Sequence, residues 1–237
     1  MTISVIIPTL NEQSTLPSTL EHTFRLGFDE IIVTDGGSTD GTRDIVLRFA
    51  LSQSRDTITE CPVLAVTAPP GRANQMNAGA GLSRNDVLLF LHADTILPDQ
   101  AKGSIIGALA DRSCVGGRFD VQFDRHTTLG RIISTMMNVR SRLSGIATGD
   151  QAIFVRREVF EQMRGYRPLP LMEDIDFTRR LKKQGRIAAV RSTVTTSYRR
   201  WARQGATRTV VRMWILRLLY WLGVSPRILS RFYTDVR

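Results

Sequence analysis

Four short apolar runs, each followed by a segment of helical pattern, constrain the fold more than any other feature. The runs cover residues 3–9, 30–35, 62–68 and 87–92. Unbroken apolar runs of this length are too short for helices and typical of parallel strands buried on both faces. The intervening helices are expected at about residues 14–26, 43–51 and 72–83. This alternation predicts an α/β fold with a mostly parallel, doubly wound sheet and right-handed crossovers.

The pattern loosens after residue 97. A helix is expected at about residues 98–111, and the alternation in "GGRFDVQFD" (116–124) predicts a half-exposed antiparallel strand. Residues 172–185 form a helical pattern with acids in the first turn and bases in the last. Because no linker or repeat interrupts the chain, we expect one domain over residues 1–205, a smaller antiparallel part included, and a basic helical tail over 206–237.

Charge is distributed unevenly along the 237 residues. Residues 177–237 hold 15 Lys and Arg against one acid and carry +14, whereas residues 1–176 carry −4. Such a basic end favours an anionic partner, which is nucleic acid, a membrane surface or a phosphorylated ligand. A solvated face that keeps the protein soluble is the alternative, and no recognised motif supports nucleic acid.

The most apolar segment, "TVVRMWILRLLYWL" (209–222), is interrupted by Arg212 and Arg217 and falls short of the ~20 residues of a membrane span. It predicts either a peripheral membrane contact, with aromatic side chains inserted, or packing on the domain or on a second subunit in a homodimer. The N-terminus lacks a basic n-region and a long apolar stretch, so we expect no export and a cytoplasmic location, free or on the inner face of the cytoplasmic membrane.

Polar side chains follow each predicted strand. Because the carboxyl ends of parallel strands meet at one sheet edge, these residues are expected to converge there: Thr9, Asn11, Glu12, Asp35, Arg72, Asn77 and Asp94. The polarity of ordinary βα loops is the alternative explanation. Asp94 stands out because it follows so apolar a run that its carboxylate needs either water or a cation.

A hard divalent cation, Mg²⁺ or Mn²⁺, fits this edge best. Such ions prefer oxygen ligands, and Mg²⁺ often takes only one or two protein carboxylates together with a substrate diphosphate. Zinc is disfavoured because none of the three histidines lies at ligand spacing from another. Neither a Walker A motif nor G-x-G-x-x-G occurs.

Seven segments in order, "SVIIPTLNE", "DGGSTDGT", "GRANQMNAGA", "LHADT", "TGDQAIFVRR", "MEDIDF" and "RRW", resemble an inverting family 2 glycosyltransferase of the GT-A (nucleotide-diphospho-sugar transferase) fold. The sequence is most similar to the small bacterial branch described as radical-SAM/selenodomain-associated, or arsenosugar-biosynthesis type. The resemblance extends from residue 3 to about residue 233.

The resemblance implies a UDP- or GDP-sugar donor and assigns roles to residues. Nucleotide binding would involve Pro8, Thr9, Asn11, Glu12, Asp35, Arg72, Asn77, His92 and Ala93. Asp94 would bind the cation and Asp174 would be the general base, with Asp150 and Asp176 as alternatives; acids in a first helical turn are also stabilised by the dipole alone. Acceptor binding would involve Gly149, Asp150, Gln151, Glu173, Arg200 and Trp201. The acceptor would be a small molecule or a lipid-linked one.

Two positions depart from the family pattern. Many relatives have an acid at the position of Gly36 and another at that of His92. With His92 present, cation binding would rest on Asp94, water and the substrate, so we expect metal and sugar-nucleotide to bind together. A catalytically silent peripheral membrane or nucleic-acid-binding protein is the competing hypothesis, and a nucleotidyltransferase is a third.

Overall fold

The structure is a computed structural model that describes residues 1–53 and 61–233, without the side chain of Arg200. Its strands are β1 (Ile3–Thr9), β2 (Glu30–Asp35), β3 (Val63–Thr67), β4 (Val87–Phe90), β5 (Thr95–Ile96), β6 (Cys114–Phe123), β7 (Ile153–Arg156) and β8 (Arg186–Thr196). Its α-helices are α1 (Leu16–Arg25), α2 (Thr42–Gln53), α3 (Arg72–Leu82), α4 (Ala101–Leu109), α5 (Thr128–Ser144), α6 (Arg157–Gln162), α7 (Glu173–Leu181), α8 (Arg199–Gln204), α9 (Ala206–Trp221) and α10 (Pro226–Leu229). Short 3-10 turns cover Gly149–Gln151 and Ser230–Phe232.

One sheet joins the eight strands in the order β3-β2-β1-β4-β7-β6-β8-β5. Its first four strands are parallel, as the alternation predicts. Thr9 at the end of β1 pairs with Asp35 at the end of β2, and Ile6 pairs with Phe90 at the end of β4. The register therefore brings three strand ends, with their loops, to one edge.

The fourth strand ends earlier than expected. β4 stops at Phe90, and Leu91 only donates its backbone N–H to Ile6. His92 and Asp94 lie in the turn beyond it, where the backbone oxygen of His92 accepts from Thr95 and that of Asp94 accepts from Ser197. Asp94 is thus held by a tight turn between β4 and β5 rather than by the strand itself.

The prediction for residues 116–124 is wrong in part. β6 does pair antiparallel with β7, but it also pairs parallel with β8 over nearly its whole length. Most of its residues are buried, because helices α4 and α5 pack on it from outside. Alternation along a strand indicates half exposure only when one face stays open to water.

The core lies on both faces of the parallel strands. On one face, Ile3, Val5 and Ile7 of β1 pack with Leu16 and Leu20 of α1. On the other face a second cluster forms, made up mainly of Ile6, Met76, Leu88, Phe90, Phe160, Tyr166 and Phe177. Burial on both faces explains why the strands are unbroken apolar runs.

The C-terminal helices pack against the rest of the chain along one side only. Thr209 and Leu216 of α9 are buried, and Leu216 shares a small cluster with Leu171, Met172 and Leu229. α9 also contacts α5. Within residues 1–53 and 61–233, no helix is both long enough and apolar enough to span a membrane. The domain boundary at residue 205 stays a prediction.

Candidate active site

A cleft lies beyond the carboxyl ends of the parallel strands, between the sheet edge and helices α5, α8 and α9. Its polar lining consists of Glu12, Arg72, His92, Asp94, Arg140, Asp150, Thr196, Ser197, Arg199, Thr209 and Arg217. Pro8, Ala93 and Trp201 are among its apolar residues, together with Ile133, Met136, Met137, Met213 and Trp214. The sheet edge therefore supplies acids, whereas the helices that cover it supply arginines and apolar side chains.

The loops after β1 and β2 are bound to each other at this edge. Asn11, at a positive φ of 56°, accepts from the backbone N–H of Thr39 through its side-chain oxygen. Asp35 is buried, and its carboxylate accepts from the backbone N–H groups of Gly37 and Ser38, both at 3.0 Å. These bonds fix the first two βα loops against each other, with the Asp35 carboxylate among backbone donors.

Asp94 lies in the cleft with little hydrogen-bonding support. Burial is the main cause that raises the pKa of its carboxyl, and Asp150 and Glu12 raise it further, while His92 and Arg199 lower it. The Arg199 guanidinium forms an ion pair with Glu12 at 3.0 Å and lies 3.9 Å from Asp94. The carboxylates of Glu12 and Asp94 outnumber the one guanidinium of Arg199. This excess of negative charge favours a cation.

His92 faces a second carboxylate. Its Nδ1 lies 3.2 Å from Oδ1 of Asp150. On its other side the ring packs against Gly149, where an added Cβ would lie 2.3 Å from His92 Nε2. The histidine that departs from the family pattern is therefore packed against Gly149 and paired with Asp150.

Asp174 and Glu173 begin α7 in a recess beside the cleft, which Pro8, His92 and Gly149 also line. The Asp174 carboxylate accepts from the backbone N–H of Gly149 at 2.9 Å and of Ile175 at 2.7 Å. Glu173 is buried, and its carboxylate lies 3.9 Å from the Arg72 guanidinium. Burial, with a smaller effect of the Asp174 charge, raises the pKa of Glu173 to about 6.

Three predicted site residues use their polar groups within the fold. The Asn77 side chain bonds to both the N–H and the carbonyl of Tyr166, each at 2.8 Å. Gln151 is fully buried and donates to Ser141 at 3.0 Å. Thr9 is 1% exposed, and its hydroxyl donates to the backbone oxygen of Thr34. These side chains position the loops of the site.

The structure describes only one of the two side chains to which the "RRW" segment assigns a role. Trp201 lines the cleft and makes an edge contact with Phe123, with the ring centroids 5.6 Å apart. The side chain of Arg200 lies outside the described residues. Asp176, an alternative general base, is buried and pairs with Arg180 at 2.8 Å and Arg167 at 3.2 Å, so it stabilises α7.

Sequence reasoning missed three arginines of the cleft: Arg140, Arg199 and Arg217. Arg199 is the first residue of the "RRW" segment, for which the resemblance assigns roles only to Arg200 and Trp201. Arg140 and Arg217 belong to helices that also carry arginines outside the cleft, such as Arg131 on α5 and Arg208 on α9. Only tertiary packing of α5 against α9 distinguishes these two from the rest.

Gly36, the other departure from the family pattern, has a local explanation. An added Cβ would lie 2.9 to 3.1 Å from the Gln75 side chain. The Gln75 amide is buried and donates to the backbone oxygens of Thr9 and Thr34, at 2.6 and 2.8 Å. Here the glutamine that ties β1 to β2 takes the space that an acid at position 36 would need.

The donor set can be tested against the expected cation. Across the described residues, no three His, Cys, Asp or Glu side chains form a group that could hold a metal alone. Asp94 nonetheless offers a carboxylate with an elevated pKa in a cleft open to substrate. This set fits a cation whose remaining ligands are diphosphate oxygens and water.

A parallel nucleotide-binding layer with acids at its strand ends, extended by mixed strands, defines the class of GT-A glycosyltransferases. The solved mannosyltransferase PcManGT from Pyrobaculum calidifontis, in complex with GDP-Man and Mn²⁺, is similar with a TM-score of 0.68 and 18% identity, over 99% of this chain and 65% of that one. Glucosyl-3-phosphoglycerate synthase from Mycobacterium tuberculosis, with Mn²⁺ and UDP-glucose, gives a TM-score of 0.54 and 20% identity, over 81% of this chain and 69% of that one. The predicted GT-A fold is confirmed.

The family model of "Glycosyl transferase family 2" matches residues 4–202. The chain belongs to this family. Among curated relatives, glucosyl-3-phosphoglycerate synthase of Mycobacterium tuberculosis is 33% identical over 41% of this chain. A PGL/p-HBAD biosynthesis glycosyltransferase of Mycobacterium bovis is 38% identical over 40% of it. The matched regions span 30% and 36% of those relatives.

Proposed function

We propose that the protein transfers a sugar from a nucleotide-diphosphate donor to an acceptor hydroxyl in a metal-dependent, inverting reaction. The observation that carries this proposal is that Asp94 lines the cleft and Asp174 the adjoining recess, with His92 lining both. Single displacement needs a base behind the attacking hydroxyl and charge neutralisation at the leaving diphosphate. Asp174 would supply the base, and Asp94 would hold the cation that neutralises the diphosphate.

Asp174 is assigned as the general base. Its carboxylate accepts hydrogen bonds from two backbone N–H groups, which fix the side chain. The acceptor hydroxyl gives its proton to Asp174 as its oxygen attacks the anomeric carbon, and the bond from that carbon to the diphosphate breaks. The products are the inverted glycoside and a nucleoside diphosphate.

Asp94 is assigned to the Mg²⁺ or Mn²⁺ ion. When bound, the cation supplies charge neutralisation for the departing diphosphate. Arg199, which contacts both Glu12 and Asp94, is proposed to pair with a diphosphate oxygen. UDP and GDP carry the same diphosphate, which is the group that this edge is proposed to bind. The proposal therefore extends to a UDP- or GDP-sugar donor.

The outer surface of α5 and α9 supports a membrane contact. Exposed apolar side chains cover it: Leu129, Ile132, Met136, Val139 and Leu143 on α5, and Val211, Trp214, Ile215, Leu218 and Trp221 on α9. We call this surface the α5–α9 face. Met136 and Trp214 also line the cleft, so the face borders its mouth. The face is followed along the chain by two exposed arginines, Arg227 and Arg231. We propose that it rests on an anionic membrane surface.

The likeness to the arsenosugar-biosynthesis branch instead favours a small soluble acceptor. Both acceptor sources present a hydroxyl to Asp174, so the chemistry is the same. A face on the membrane is compatible with either source.

The test of the catalytic proposal is Asp174→Asn. Nucleotide-sugars are first screened for Mn²⁺-dependent hydrolysis or transfer by the wild type. We expect the variant to keep Mn²⁺-dependent thermal stabilisation by the nucleotide and to lose transfer by a factor of about 10² to 10⁴. Retained turnover would assign the base to another residue, with Asp150 next. Absence of stabilisation by any nucleotide in the wild type would count against the enzyme itself.

A further inference from the structure

Two arginines project into the cleft from different helices. Arg140 lies near the end of α5 and Arg217 in the second half of α9, and both line the cleft. Neither is used by the mechanism above. Bringing two cationic side chains together in the cleft costs free energy, because each loses hydration there. A bound anion would offset this cost.

Their nitrogen atoms lack partners. Nε and Nη2 of Arg140 and Nε of Arg217 are buried and have no hydrogen-bond partner among the described residues. A buried N–H without an acceptor costs on the order of 1–3 kcal/mol, and more for a charged group. The fold therefore leaves at least three guanidinium nitrogen atoms without a hydrogen-bond acceptor in the described chain.

The two guanidiniums also repel each other. Burial, with a smaller effect of the Arg217 charge, lowers the pKa of Arg140 to about 10. Asp174 and Asp150 oppose this effect at both arginines. Their carboxylates have other contacts, however: Asp174 with backbone N–H groups and Asp150 with His92. The nearby acids thus attract the pair without satisfying its orphaned N–H groups.

We propose that Arg140 and Arg217 form a binding site for a phosphate group carried by the acceptor. The proposal rests on the proposed function, since it names the class of acceptor for that reaction. A doubly charged phosphate neutralises two guanidiniums at once and offers several oxygens to their forked donors. No bond is made or broken at this site; it holds the acceptor.

The position of the pair favours the acceptor over the donor diphosphate. The acids that act on both arginines are Asp174, the proposed base, and its neighbour Asp150. Asp94, the proposed cation ligand, shares Asp150 with the arginines but is influenced by His92, Glu12 and Arg199 rather than by Asp174. A phosphate bound at Arg140 and Arg217 would place a hydroxyl of the same molecule beside the base.

The test measures binding of inorganic phosphate to the full chain by calorimetry, without metal or nucleotide and at constant ionic strength. The variants are Arg140→Gln and Arg217→Gln. The matched controls are Arg131→Gln on α5 and Arg208→Gln on α9, because both side chains are exposed outside the cleft. We expect at least tenfold weaker phosphate binding in the first two and unchanged binding in the controls. Arg140→Lys and Arg217→Lys, which keep the charge, separate loss of binding from loss of folding.

Two results would overturn the proposal. The first is equal phosphate binding in all four glutamine variants. The second is that Arg140→Gln or Arg217→Gln weakens binding of UDP or GDP with Mn²⁺ tenfold or more, which would assign the arginines to the donor. Because phosphate binding is measured without donor, failure of the transfer reaction does not affect this result.

Further arms separate the two sources of phosphate. Glycerol 3-phosphate, compared with glycerol, represents a soluble acceptor. Vesicles of phosphatidylglycerol, compared with phosphatidylcholine, represent a lipid headgroup. Competition with inorganic phosphate by glycerol 3-phosphate supports a soluble source; vesicle binding that falls in Arg140→Gln and Arg217→Gln supports a lipid source. If neither molecule competes and no vesicle binding depends on the pair, an acceptor role is refuted.

Discussion

At the scale of single residues, Asp94 shows a conflict between stability and function. Its pKa is raised mainly by burial and further by the charges of Asp150 and Glu12. A raised carboxyl pKa means that the folded state favours the neutral form, so the ionised side chain destabilises the fold at neutral pH. Sites that bind a substrate cation commonly carry such a cost.

We therefore predict opposite effects of Asp94→Asn on stability and activity. The free energy of unfolding at pH 7, measured with urea, should increase because the neutral amide replaces a disfavoured charge. Transfer should fall about 100-fold or more, because a bound cation lowers the barrier by several kcal/mol. Thermal stabilisation by nucleotide should no longer depend on Mn²⁺.

Asp111→Asn is the matched control, since Asp111 pairs with Arg186 on the surface and its pKa is lowered. It should leave Mn²⁺ dependence unchanged and should not increase stability. Loss of stability in Asp94→Asn, with Mn²⁺ dependence intact, would contradict the assignment of Asp94.

Gly149 is a second residue whose size matters to the site. A Cβ at this position would lie 2.3 Å from His92 Nε2, and the Gly149 N–H holds Asp174. We predict that Gly149→Ala costs about 1–3 kcal/mol of unfolding free energy and lowers kcat, because the ring or the turn must shift. In a His92→Ala background the stability cost should shrink, and a double-mutant cycle measures the difference.

At the scale of elements, the start of α7 buries one acid and leaves the next partly exposed. The residue before it, Met172, has a positive φ of 66° and begins the helix with Glu173 buried and Asp174 partly exposed. Burial dominates at Glu173 and raises its pKa from 4.5 to about 6. The helix start thus gives two adjacent acids different roles.

This difference predicts a pH dependence. The folded state binds the Glu173 proton more tightly than the unfolded chain, so the contribution to stability is complete below about pH 4.5 and is lost as pH rises through about 6. Glu173→Gln keeps the neutral form and should be the more stable protein at pH 7, by on the order of 2 kcal/mol. Urea unfolding of both proteins from pH 4 to 8 tests this; a constant difference across that range would refute it.

The elements also show what local pattern could and could not predict. The parallel layer was predictable because each strand is an apolar run between turn residues and its neighbours follow in sequence. The parallel pairing of β6 with β8 joins residues about 70 apart, and nothing in either strand signals its partner. The same limit applies to the site residues. Asp94 and Asp174 lie in sequence motifs, whereas Arg140 and Arg217 come together only when α9 packs on α5.

At the scale of the whole molecule, charge and apolar exposure coincide. Residues 177–237 carry +14, and they include α9, whose outer side chains form half of the α5–α9 face. Leu143 and Trp221 are its most exposed members, at 83% and 78%. Exposed apolar side chains in a basic part of the chain match an anionic bilayer, which takes up the apolar side chains and attracts the positive charge.

We predict that the full chain binds phosphatidylglycerol vesicles and not phosphatidylcholine vesicles in co-sedimentation, and that binding falls between 0.1 and 0.5 M salt as charges are screened. The double substitution Leu143→Ser and Trp221→Ser should abolish binding, because it removes apolar area from both helices without touching the buried side of either. Leu51→Ser, at an exposed position of α2, is the matched control and should leave binding unchanged. If the double variant instead converts a dimer in solution to a monomer, the face joins two subunits and the membrane proposal fails.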